Sequence, residues 1–124
     1  MRFFKIIKYF LIIFFLINHA YANTNYYDEG LILFKKNEFD KAKFKFEQDL
    51  VFNPKNENAY LYLSKIFKIR EKNKLEEQNL NSVILLNPKN EEALYSLAKL
   101  KLKESDYTQS KKLILQSLTF CKNY

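Results

Sequence analysis

Apolar residues are distributed in two different ways along this chain. Near the amino terminus, Tyr9 to Ile17 is an unbroken apolar run. From Asn23 onward the apolar positions instead recur in steps of three and four, which line one face of an α-helix. Tyr26, Gly30 and Leu33 make the first such stripe, and Ala42, Phe46, Leu50 and Phe52 the second. Ala59, Tyr60, Leu63 and Phe67 make the third, and Leu80, Val83, Ile84 and Leu86 the fourth. Leu94, Leu97 and Ala98 follow, then Ile114, Ser117 and Leu118. No apolar–polar alternation is bounded by turn pairs, and the chain holds one glycine, so strands are not expected. The predicted fold class is all-α.

The stripes belong to a repeat. Asn53 to Phe67 reads NPKNENAYLYLSKIF, and Asn87 to Lys101 reads NPKNEEALYSLAKLK, identical at eight of 15 positions at an offset of 34. Twice that period maps Phe39 onto Tyr107, Ala42 onto Ser110 and Phe46 onto Ile114. Three copies of two helices each, at about 23–56, 57–90 and 91–124, account for the chain after its leader. Pro54 and Pro88 cannot sit inside a helix, so the preceding helices end there. Asn56 and Asn90 are candidate N-caps, with Glu57 and Glu91 favoured at the positive helix end. Asp40 and Asp106 are expected to open the second helices of their copies.

These residues resemble the tetratricopeptide repeat family, whose period is 34. The resemblance implies an aromatic early in helix A, a small residue where helix B approaches, and a second aromatic at the turn. It also implies a small residue early in helix B and a closing proline. The first copy supplies Tyr26, Gly30, Phe39, Ala42, Phe46 and Pro54, and the third Leu94, Ala98, Tyr107, Ser110 and Ile114. The middle copy keeps Tyr60, Ser64, Leu80, Val83 and Pro88, but has Asn73 for the turn aromatic and Glu76 for the small residue. Its hairpin is therefore expected to be looser or shifted in register. The implied architecture is a right-handed superhelical stack of three helix-turn-helix hairpins. Gly30, Ser64 and Ala98 recur 34 apart and are read as packing positions.

The leader changes the picture of where the protein works. Met1 to Ala22 has a positive start in Arg2, Lys5 and Lys8, the apolar run, and the small-x-small signal Ala20-Tyr21-Ala22. Nine apolar residues fall well short of the roughly 20 that span a bilayer. Cleavage after Ala22 is expected, releasing Asn23 to Tyr124 to the periplasm or cell envelope. The alternative is a retained anchor in the inner membrane. No Cys follows the apolar run, so no lipid-modified amino terminus is expected.

Composition and charge narrow the chemistry. The full chain carries +7, and without the leader 18 basic residues face 14 acidic ones, a net +4. The surplus is 19 Lys against two Arg, scattered among Glu and Asp. Arg is the residue of bidentate phosphate and base recognition, so no nucleic-acid partner is expected. The single Cys121 allows no intramolecular disulfide; it is a small apolar residue near a helix end or a site of intermolecular pairing. The only His, His19, lies in the leader, which leaves the repeats without the commonest general base and metal ligand. Glu76-Glu77 and Glu91-Glu92 are sequence neighbours that point to different helix faces, and one Gly cannot build a phosphate loop. An enzyme is not expected, nor a cofactor or metal.

Binding is what remains. The resemblance implies a concave groove lined by the first helix of each copy, a surface that takes extended peptides or helices. Its positions fall on Tyr27, Leu31, Phe34 and Lys35, on Leu61, Lys65, Lys68 and Ile69, and on Tyr95, Lys99, Leu102 and Lys103. Aromatic, aliphatic and Lys side chains together suit a ligand with apolar anchors and acidic flanks, although the apolar members could equally belong to the core. The family's clamp for a terminal carboxylate needs a Lys/Asn/Arg set, and Tyr27, Leu31, Tyr62, Glu92 and Ser96 stand there instead. Three readings stay open: an exported adaptor or scaffold for a protein partner, a self-assembling module that pairs through its carboxy-terminal helix, and a membrane-tethered form. On that last helix Ile114 and Leu118 are expected inward, with Leu113, Leu115 and Phe120 beside them.

Overall fold

The structure is a computed structural model in which residues 25–121 are described, the Cys121 side chain excepted. The leader and its expected junction at Ala22–Asn23 lie outside the described residues. The described residues form six helices and no strand: α1 Tyr26–Lys35, α2 Phe39–Phe52, α3 Glu57–Ile69, α4 Asn73–Leu86, α5 Glu91–Lys103 and α6 Tyr107–Cys121. They pair as α1·α2, α3·α4 and α5·α6, and neighbouring hairpins meet through α2·α3 and α4·α5.

One turn is used three times. Asn37, Glu71 and Ser105, spaced 34 apart, all take the left-handed conformation, with φ of 61°, 54° and 63°. The amides of Glu38, Lys72 and Asp106 donate to the carbonyls of Leu33, Phe67 and Lys101, five residues back. The amides of Asn37, Glu71 and Ser105 donate to Phe34, Lys68 and Leu102. This is the Schellman closure of a helix, and it satisfies carbonyls that the helix end would orphan. Asp106 then caps α6, its side chain accepting from the Gln109 amide at 3.0 Å. Asp40 does not have that role. Helix α2 begins at Phe39 after Glu38, and Asp40 lies in its first turn, paired with Arg70 at 2.6 Å.

The turns between hairpins are built on asparagine. The Asn56 side chain accepts from the amides of Asn58 and Ala59, and Asn90 accepts from Ala93. Behind the first of these turns Asp49 is buried at 2% exposure. It accepts from Asn53 at 3.2 Å and from Asn56 at 2.6 Å. At the equivalent place in the next copy stands buried Val83, and Asn87 donates instead to Glu57.

Packing follows the period as well. A methyl group on Gly30 would lie 2.7 Å from the Phe46 ring, so only glycine admits that ring against α1. Phe46 is fully buried, with Ala42, Ala59, Leu63, Ile66 and Phe67, in the core of the first two hairpins. The second core joins Leu61, Leu80, Val83, Ala93, Leu97 and Leu113. The middle hairpin is neither looser nor shifted. Asn73 heads α4 in register, and Glu76 occupies the small-residue position at 4% exposure.

Helix α6 is rotated from the expectation. Ser110 and Leu113 face inward, at 1% and 8% exposure, and Phe120 packs on the core. Ile114 and Leu118 are exposed at 42% and 49%. In α4 the equivalent Leu80 and Ile84 are covered by the following hairpin, and no described residue plays that part for α6.

Candidate protein-binding site

The twelve groove positions divide by copy. In the first, Tyr27, Leu31 and Phe34 pack on the core. The Phe34 and Tyr62 rings meet at 5.1 Å, Tyr27 and Tyr62 at 6.2 Å, and Phe46 and Tyr62 at 5.3 Å. Burial, with the nearby Tyr62 and Asp28, pushes the Tyr27 hydroxyl above its usual range. Such edge and offset ring contacts favour a fixed wall over a free anchor. Lys35 remains exposed at the end of α1. In the second copy Leu61 is buried at 6% and belongs to the core. Lys65 is half-buried: its ammonium pairs with Glu92 at 2.8 Å and lies 4.7 Å above the Tyr62 ring. Lys68 and Ile69 are exposed.

The third copy is where the predicted positions converge. Lys68 of α3, Glu76 of α4, and Ser96, Lys99, Leu100 and Lys103 of α5 line a cleft of about 260 Å³. Three lysines and one glutamate thus line the same cleft. Burial pushes the Glu76 carboxyl above its ordinary range, against the opposing pull of Lys68 and Lys103. Lys103 also reaches Asn73 at 3.4 Å. Nearby, Lys101 is buried and bonded to Glu77 at 2.6 Å and Glu104 at 3.0 Å; the Glu77 bond holds its pKa above the usual value despite burial.

On the other side of Lys99 lies a second, more apolar cleft of about 390 Å³. Leu94, Tyr95, Ala98, Lys99 and Leu102 of α5 and Ile114 and Ser117 of α6 line it. Tyr95 is exposed at 67% and Leu102 at 47%. Lys99 therefore stands between a cationic cleft and an apolar one. The Glu76 member of the first cleft and the Ile114 member of the second were not among the groove positions, since both come from second helices. The departure of Glu76 from the small-residue rule was the visible signal for the former.

No family model matches the sequence, and no curated protein matches it. Solved structures do resemble it in fold. MamA 41-end from Desulfovibrio magneticus RS-1 superposes with a TM-score of 0.74 at 14% identity, over 84% of this chain and 59% of that one. The first TPR of Spaghetti (RPAP3), bound to the HSP90 peptide SRMEEVD, gives 0.71 at 17% identity, over 80% and 79%. The Yersinia enterocolitica type III secretion chaperone SycD, in complex with a peptide of the translocator YopD, gives 0.69 at 11%, over 74% and 70%. The chain spans 55–59% of the length of the MamA structures it matches. The all-α stack of three hairpins thus has the tetratricopeptide fold.

Proposed function

We propose that this chain is an exported, non-enzymatic interaction module, an adaptor or scaffold that holds an acidic segment of a protein partner. The carrying observation is the cleft lined by Lys68, Lys99, Lys103 and the desolvated Glu76, beside exposed Tyr95 and Leu102. A carboxylate placed among three ammonium groups gains charge-assisted hydrogen bonds, and an adjacent side chain can bury apolar area next to them. Two of the structural neighbours hold peptides, and the one on RPAP3 contains Glu and Asp. Export rests on the composition of Met1 to Ala22.

Head-to-tail self-assembly fits the surface less well. At the positions where α3 and α5 bury Leu63 and Leu97 on the preceding hairpin, α1 carries exposed Glu29. A stacked copy would have to desolvate that carboxylate against apolar side chains.

The test is binding to an array of acidic heptapeptides, each with one Leu or Phe anchor. Lys68→Glu with Lys103→Glu should weaken the best binder roughly two- to thirtyfold, as two exposed charge contacts each contribute about 0.2–1 kcal/mol. Both proteins carry Glu76→Gln, so that the reversals strand no buried carboxylate, and their circular dichroism should be the same. Lys65 is unsuited to this test because its reversal would strand Glu92. Equal affinity for the double variant and the parent would remove the cleft as the site.

A further inference from the structure

The repeat lets the exposed end of the stack be compared with the same surface one copy earlier, where it is covered. Leu61 of α3 is 6% exposed and its equivalent Tyr95 is 67% exposed; Leu80 of α4 is 0% exposed and its equivalent Ile114 is 42%. The cover over the earlier surface is α5, which lays Ala93, Leu97 and Leu100 into the shared core. Two ion pairs hold α5 in place. Lys65 of α3 bonds Glu92 in the first turn of α5 at 2.8 Å, and Glu77 of α4 bonds Lys101 in its last turn at 2.6 Å. Advanced by 34 residues, Lys65 becomes Lys99 and Glu77 becomes Lys111. The exposed end therefore repeats the apolar seam but offers cations at both flanking positions. Neither lysine has an ion pair among the described residues.

We propose that this carboxy-terminal face docks an amphipathic helix of a partner protein, seated as α5 is seated on the second hairpin, with acidic residues facing both Lys99 and Lys111. The geometry of α5 sets the pattern of that helix. It carries an acid at position i and a second at i+9, with small or apolar residues at i+1, i+5 and i+8, as Glu92, Lys101, Ala93, Leu97 and Leu100 are spaced. A second copy of this chain is a poor occupant. Its α1 would place Glu29 at the central apolar position and Leu33 at the second acidic one. A two-fold pairing of this face with itself would bring the lysines of two copies together, and like charges oppose it.

The probe is a synthetic peptide of the chain's own Asn90–Lys103 sequence carrying the change Lys101→Glu, which matches the pattern. Its charge-reversed counterpart carries Glu92→Lys and keeps Lys101. Fluorescence anisotropy with the full chain should show the matched peptide binding at least threefold more tightly, and the gap should shrink in 1 M salt. The protein with Lys99→Glu and Lys111→Glu should reverse that preference. Ile114→Glu should abolish binding of both peptides. Equal affinity of both peptides for every protein would overturn the proposal. So would a dimer in light scattering that Ile114→Glu dissociates. Cross-links from Lys99 or Lys111 to Lys5 or Lys8 of the same chain, with no peptide bound, would assign the face to residues 1–22 instead.

Discussion

Glu76 shows how a single residue can be tolerated by packing and opposed by electrostatics. Its equivalents Ala42 and Ser110 are small, and a five-atom side chain ending in a charge fills the same space in the middle hairpin. Because burial raises its native pKa, the linkage has a definite sign. Below the ordinary carboxyl range both the native and unfolded forms are protonated, and ionisation contributes no penalty. As pH rises through the native value the unfolded chain has already released its proton, and native stability is lost. Glu76→Gln should therefore gain stability over the parent as pH goes from 4 to 8. At pH 8 the gain should fall within the roughly 0.5–2 kcal/mol of single stabilising substitutions. Urea midpoints at the two pH values check this, and a constant difference between them would contradict it. The same change removes the negative charge from the cleft that Lys68, Lys99 and Lys103 line, so acidic peptides should bind more tightly.

At the scale of the element, the three hairpins obtain one geometry from different residues. The left-handed turn position holds Asn37, Glu71 and Ser105, and only the first is a type that accepts positive φ readily. Glu71 is exposed and makes the turn with its backbone amide alone, which donates to Lys68. Glu71→Gly removes a left-handed strain of about 1–2 kcal/mol but adds unfolded-state entropy of about 0.5–1 kcal/mol. The net effect expected is a thermal midpoint raised by a few degrees, read by calorimetry, and Glu71→Val should lower it. These turns also mark a limit of legibility. The helices were visible in the apolar spacing and the stops at Pro54 and Pro88. The turn inside each hairpin was not, because neither Glu71 nor Ser105 has a composition that signals positive φ. Asp40 was misplaced for a related reason: an Asp near a helix start reads as a cap, and only the backbone of Glu38 reveals that the helix has already begun.

Across the whole molecule, the period identified in the sequence carries most of the argument, and its failures occur where two faces of one helix are both apolar. Tyr27, Phe34 and Leu61 were assigned to a groove and lie against the cores. Ile114 and Leu118 were assigned inward and lie half-exposed. A repeat helix touches its own partner and also the next copy. Spacing alone therefore cannot say which of the two contacts a given apolar residue makes. Lys99 and Lys103, by contrast, are exposed as a long charged side chain favours, while Lys101 between them is buried only because Glu77 and Glu104 hold its ammonium. The leader belongs to this scale too, since it decides which compartment the clefts face. Among the described residues no helix is long and apolar enough to cross a membrane. The chain's apolar run from Tyr9 to Ile17, ended by Ala20-Tyr21-Ala22, fits a secretory signal better than a span. Expressed in a bacterium with a general secretory pathway, the protein should be recovered from the periplasm with Asn23 as its first residue by amino-terminal sequencing. Ala20→Lys with Ala22→Lys should block cleavage and leave the chain in the membrane fraction, because the small-residue signal is lost while the apolar run remains. A soluble cytosolic chain that still begins at Met1 would remove export.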